Sequence, residues 1–338
     1  MAGAAALLVA ALVGLAPARA EDPPLPPVNT HLARQINFLR TRMIAGRIWV
    51  TSNDPTRSTN IHTRDTDLRE HLQINFDSGL VSLTYEMVTP DVQLTITVTD
   101  GDEVIVRRQP KKAAGDWALE FVQPANGQLS LRATQGAQKL QMRAPSYWHL
   151  ALGCPQVCEK QLLPILEILH PGWNLTQTAA ALEVSLERNA KRYRPLDRNR
   201  LQELLRDLGS DQFARREAAE RQLRTAGQAI LPFLRAVDRN RVDAEQAYRV
   251  RSVIHGMNSD MEEDTPENLA PWLTGDPYIW FALLDREQEP TRRFAAEQLG
   301  RLLDKPIAFD PAAGAAERAK QLEAIAAEIK TAWDFKKD

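Results

Sequence analysis

The chain has 338 residues, 43% hydrophobic and 25% charged, an ordinary globular composition with room for about two domains. Its formal net charge of −2 gives no global electrostatic case for nucleic acid as a partner. The Arg-rich stretches at Arg192–Arg200 and Arg215–Arg224 are interleaved with Asp or Glu, which is how solvated helix faces read.

Ala4–Leu15 is an unbroken apolar run, followed by Pro17 and a small-x-small site, Ala18-Arg19-Ala20. This predicts a signal peptide over 1–20, cut before Glu21, and an exported periplasmic or extracellular protein. No Lys or Arg precedes the run, a departure from the usual pattern. No later stretch is apolar enough to span a bilayer, so no integral membrane segment is expected after cleavage. The prolines of 21–30 exclude helix and predict an extended leader.

Residues 31–150 predict a β-rich domain. Leu32, Ile36, Leu39 and Met43 have helical spacing, so His31–Ile44 is expected to be a helix packed on a sheet. The period then becomes two. Leu72, Ile74 and Phe76 alternate with polar residues, as do Val81 to Met87, Val92 to Val98, Trp117 to Phe121, Leu129 with Leu131, and Leu140 with Met142. Asp77-Ser78-Gly79, Thr89-Pro90-Asp91, Asp100-Gly101-Asp102 and Ala125-Asn126-Gly127 mark tight turns between them. Strand, short turn, strand implies an antiparallel meander of about six or seven strands, as a curved sheet or partial barrel. The carboxylates Asp100, Asp102 and Glu103 read as turn chemistry rather than a metal site. His62, Asp65 and Asp67 form the one compact acid/base cluster, in a polar loop expected over Asn53–Asp67.

Residues 151–175 carry the only two cysteines, Cys154 and Cys158, with Pro155 after the first. The pair reads first as a disulfide, next as buried thiols, and least of all as half of a metal site with His149 and His170. Apolar residues from Leu162 to Leu169, ended by His170-Pro171-Gly172, predict a helix bridging the two domains. Asn174-Leu175-Thr176 matches a glycosylation sequon.

From 176 to 338 the period is 3.6. Phe213, Arg216, Ala219 and Leu223 fall on one helix face, with Gly227 as a C-terminal cap. A second helix carries Ile230, Leu231, Leu234 and Val237, and a third begins near Asp243 with Gln246 in capping position. Leu208-Gly209-Ser210-Asp211 through Ala219, Gly227 to Leu234, and Glu245 to Arg249 together resemble the HEAT-like repeats of exported bacterial proteins. A degenerate second copy covers Pro290–Leu303, and Asp310-Pro311 predicts the start of a last helix running to about Trp333. The switch of period from two to 3.6 predicts an α+β protein with segregated halves, and the resemblance implies that the all-α half is a stack of helix pairs used as a protein-binding surface or scaffold. It brings no catalytic residues and no cofactor, and it implies intra-repeat ion pairs for Arg216, Arg251 and Arg293. The function expected is therefore a non-enzymatic envelope protein that binds another envelope protein. The alternative is a lipid, glycan or small ligand held on an uncovered concave face of the β domain, with hydrolysis a more remote reading.

Overall fold

The structure, a computed structural model, describes residues 35–111, 116–125, 127–193, 197–237, 242–259 and 262–333. The expected signal peptide and Pro-rich leader lie outside the described residues. The architecture is the segregated α+β layout: antiparallel sheets first, helices after, in two compact units that divide after Thr176.

The first unit holds two sheets. Strands β1 (Leu39–Ile44) and β2 (Arg47–Ser52) form a hairpin, closed by Ala45 and Gly46, both at positive φ. The helix expected over His31–Ile44 is therefore corrected: the described part is one turn followed by a strand. Its 3.6 spacing was coincidental. Met43 and Ile44 are buried by pairing and by the sheet below, which local periodicity does not register.

The other eight strands form one meander: β3 (Thr59–Arg64), β4 (Arg69–Asp77), β5 (Leu80–Val88), β6 (Val92–Thr99), β7 (Glu103–Pro110), β8 (Ala118–Gln123), β9 (Leu129–Gln135) and β10 (Gln138–Ala144). Each pairs antiparallel with the next, and β3 and β10 are the ends of an open sheet, not a closed barrel. The count exceeds six or seven because β3, inside the supposed polar loop, is an edge strand whose alternation runs only between half-buried and exposed positions, and because β7 lies outside the alternating runs.

Alternation along β4 to β10 puts one complete row inside. Leu72, Ile74, Leu83, Met87, Leu94, Ile96, Val106, Phe121 and Leu131 are essentially inaccessible. Each such side chain contributes about 1.5–3 kcal/mol. Near the β3 edge this row turns polar. Glu70 is buried and accepts a 2.6 Å hydrogen bond from the Tyr85 hydroxyl.

Gly101 and Gln123 are among the residues that hold the hairpin against the meander. The Gly101 carbonyl accepts from Val50 N while Gly101 N donates to Val81 O. Gly101 has φ +80°, and a β-carbon there would stand 2.5 Å from Val50 O, so the position needs glycine. Fully buried Gln123 treats Ile48 as a strand partner. Its Oε1 accepts from Ile48 N at 2.8 Å, and its Nε2 donates to Ile48 O at 2.8 Å and to Asp102 O at 2.6 Å.

After the meander the chain forms a broken helical strap: α1 (Tyr147–Gly153), α2 (Pro155–Val157), a π turn (Cys158–Leu162) and α3 (Leu163–Leu166). Tyr147 N donates to Gly46 O, Arg108 on β7 donates to Gln161 Oε1, and Thr41 Oγ1 donates to Leu169 O. The segment expected as a single bridging helix is thus several short pieces tied into the β unit.

The second unit is all α: α4 (Leu175–Ala190), α5 (Arg198–Leu208), α6 (Phe213–Ala226), α7 (Leu231–Ala236), α8 (Ala244–Ser259), α9 (Pro266–Leu273), α10 (Pro277–Leu283), α11 (Glu289–Leu303) and α12 (Ala315–Trp333). Leu201, Leu205, Leu208, Leu223, Ile230 and Val253 are among the residues that close one core, from α5 to α8. A second buried region is built by α9 and α10, where Trp280 Nε1 donates to Thr274 O and Asn189 reaches Ala270 O. The last helix begins at Ala315 rather than at Pro311. Asp310 instead caps a turn by accepting from Ala312 N.

Candidate functional site

The metal quartet is not assembled. His149 is buried and its Nδ1 meets Ser146 Oγ at 2.8 Å. His170 donates through Nδ1 to Thr41 O at 2.8 Å and stacks on Trp173. Among the described residues no group of three or more His, Cys, Asp or Glu is placed to hold a metal ion. The His62 cluster also comes apart. His62 stacks on its cross-strand partner His71, with ring centroids 4.1 Å apart, while Asp65 caps its own turn at Thr66 N.

Cys154 and Cys158 are both buried and both free thiols, with sulfurs 3.8 Å apart. The Cys154 contact and complete burial push the Cys158 thiol well above its ordinary value. Tyr85 moves the same way, through burial and then through its hydrogen bond to Glu70. Both groups keep their protons in the native state and release them in the unfolded state. Their contribution is therefore complete below the unfolded values, near 9 for the thiol and 10 for the phenol, and falls as pH rises beyond them. Under reducing conditions, unfolding free energy should begin to drop above about pH 9, with a limiting slope of about 1.4 kcal/mol per pH unit per group. Urea titrations between pH 7 and 11 test this. Tyr85→Phe should flatten the part beginning near pH 10, and an unchanged slope in that variant refutes the assignment.

The surface that stands out is formed by α6 and α8. The first of these starts after an extended Gln212 whose N–H is held by Ser210 Oγ, and it ends at Gly227 with φ +69°. The other starts where Asp243 Oδ1 accepts from Gln246 N at 2.7 Å. Arg249 joins the two helices. Its Nη1 lies 2.9 Å from Glu217 and 2.8 Å from Glu220, and its Nε is 2.7 Å from Glu245. Glu220 also binds Arg224, which reaches Ser252 on α8. At the other end Arg216 lies 3.8 Å from Glu245, and its guanidinium stands 5.7 Å from the centre of the Phe213 ring.

Two aromatic rings flank this ladder in the open. Phe213 is 63% exposed, and Tyr248, one turn beyond Glu245, is 61% exposed. The expectation that Phe213 shares the buried face of its helix is corrected. Ala219 and Leu223 are buried, but Phe213 occupies the first position, before that face turns beneath α8. Tyr248 went unnoticed because an aromatic in a helix reads as core unless its packing is known.

Arg216 also donates through Nη1 to Ser210 O and Asp211 O, six and five residues before it. Buried Arg292 on α11 does the same to Arg286 O and Glu287 O, and adds a 2.7 Å bond from Nε to Pro311 O. Ala219 and Leu223 follow the first arginine at three and seven residues, as buried Ala295 and Leu299 follow the second. Of the arginines expected in ion pairs, Arg216 and Arg293 are paired, with Glu245 and Glu289, and Arg251 is exposed. No helix among the described residues is long and apolar enough to cross a membrane. No family model, no curated protein and no solved structure matches the chain.

Proposed function

We propose that this is a non-enzymatic, exported protein-interaction or scaffold protein that binds a partner protein of the cell envelope through the α6–α8 face. The observation that carries the reading is the placement of Phe213 and Tyr248, two exposed aromatics bordering an ordered Arg/Glu ladder. Aromatic and arginine side chains supply most interface hot spots, because they bury large areas with few rotatable bonds. The shared arginine device of α6 and α11 supports the HEAT-like resemblance. The apolar run Ala4–Leu15 with Ala18-Arg19-Ala20 supports export.

The ligand-cup alternative loses its support because the apolar face of the meander is filled. Leu94, Ile96, Phe121 and Leu131 on that face are inaccessible.

The test is crosslinking capture from native envelope extract, using the chain from Glu21 onward beside its Phe213→Ala/Tyr248→Ala double variant. Both substitutions are at exposed positions, so stability should change by about 0.5 kcal/mol or less per site. Capture of a specific protein should fall about tenfold or more. Equal capture by both chains would move the interaction off this face, and no capture by either would sink the binding reading.

A further inference from the structure

Cys154 stands where the strap breaks. It closes α1 by donating from its N–H to Leu150 O at 2.8 Å, and it opens α2 by accepting from Cys158 N at 3.1 Å. Its backbone, at φ −140° and ψ 62°, is not helical, and Pro155 follows as the first residue of α2. In an uninterrupted helix, side chains four residues apart stand about 5–6 Å apart at Cβ, both tilted towards the N-terminus. The non-helical backbone of Cys154 departs from that arrangement, and its sulfur comes to 3.8 Å from the Cys158 sulfur. Cys154 is 7% exposed and Cys158 2%. Around them Leu150, Val157 and Leu162 are buried, so no external thiol has easy access to the closed pair.

We propose that Cys154 and Cys158 are the two halves of an intrachain disulfide, formed by exchange with a disulfide-bearing oxidant such as oxidised glutathione or a thiol–disulfide exchange protein. Cys154, the less buried, attacks first as its thiolate. It bonds to one sulfur of the oxidant and expels the other as a thiolate. The Cys158 thiolate then attacks Cys154 sulfur and expels the remaining half of the oxidant. Two protein thiols become one disulfide, and two electrons with two protons pass to the oxidant, leaving it as two thiols. Because both sulfurs are buried, the bond closes during folding or a local opening of the strap, and the closed form then resists reduction.

The proposal does not depend on what the α6–α8 face binds, and its test does not use that face. The full chain is reduced and unfolded, then refolded across a series of oxidised-to-reduced glutathione ratios. Samples are quenched in acid, denatured, labelled with a maleimide and weighed intact. A parallel series exposes the native, reduced chain to diamide, so the measurement does not rely on refolding. At the oxidising end the expected product is a monomer two mass units lighter than the dithiol and carrying no label. Dithiothreitol should restore two labels. Cys154→Ser and Cys158→Ser should each retain one thiol that is labelled or carries one glutathione. In the oxidised wild type, the loss of stability that begins near pH 9 should shrink, because no titrating thiol remains. Two labelled thiols at every ratio would overturn the proposal. So would single glutathione adducts, or disulfide-linked dimers, as the dominant oxidised species of the wild type.

Discussion

Replacing Gln123 with leucine is expected to destabilise the β unit by about 3–5 kcal/mol, although the two side chains are similar in size. Leucine fills the space but leaves Ile48 N–H, Ile48 O and Asp102 O without the partner that Gln123 supplies. A buried backbone group stripped of its hydrogen bond costs about 1–3 kcal/mol. The hairpin of β1 and β2 should suffer first, because this amide is one of the ties holding it to the meander. Hydrogen exchange should then show Ile48 and Val50 losing protection while the amides of α9 and α10 keep theirs. Gln123→Glu makes a sharper test. At neutral pH its carboxylate faces two carbonyl oxygens, whereas the protonated acid can donate to one of them. The glutamate variant should therefore regain stability on acidification relative to the leucine variant. A leucine variant within about 1 kcal/mol of wild type would show that water or a local shift replaces the amide.

The second large effect is expected at Arg292. Arg292→Ala should cost the helical unit about 3–5 kcal/mol, since three main-chain oxygens, those of Arg286, Glu287 and Pro311, lose one shared cationic donor. Lysine is not expected to rescue it, because a single ammonium cannot reproduce the planar fork that serves Pro311 from Nε and the other two oxygens from Nη1. The corresponding arginine on α6 provides the internal control. Arg216 donates to two main-chain oxygens, those of Ser210 and Asp211, beside a looser 3.8 Å contact with Glu245, and its side chain is 21% exposed, so Arg216→Ala should cost about 1–2 kcal/mol. Guanidinium unfolding of the three variants orders them directly. Equal losses at the two arginines would mean that burial and the Pro311 contact contribute nothing.

Legibility in the sequence followed how local each cause was. The strands from Leu72 onward, β7 excepted, were readable because each buries one face, which writes burial into every second residue. The turns at Ser78-Gly79 and Asp100-Gly101 were readable because positive φ restricts residue type at the turn itself. Edge strand β3 and the β1–β2 hairpin were not. The former alternates only between half-buried and exposed positions, with Ile61 its one large apolar residue, and the latter is stabilised by residues such as Gln123, 75 positions from Ile48. The candidate site divides in the same way. Arg216 and Arg293 could be assigned to ion pairs from repeat spacing, but the exposure of Phe213 and Tyr248 depends on how α6 and α8 pack.

By itself the amino-acid sequence determined the order of the halves, β then α, because alternation at two and at 3.6 residues is a property of neighbouring side chains. It also determined the helix caps at Gly227 and Asp243, where a single residue's geometry decides the outcome. Only the tertiary structure decided that Leu39–Ile44 is a strand, that His149 and His170 stand apart from the cysteines in separate hydrogen bonds, and that Cys154 and Cys158 meet. The physical reason is shared. Each of these outcomes depends on packing or hydrogen bonding between segments, or on a break in backbone geometry, and such energies leave no period in the local chain.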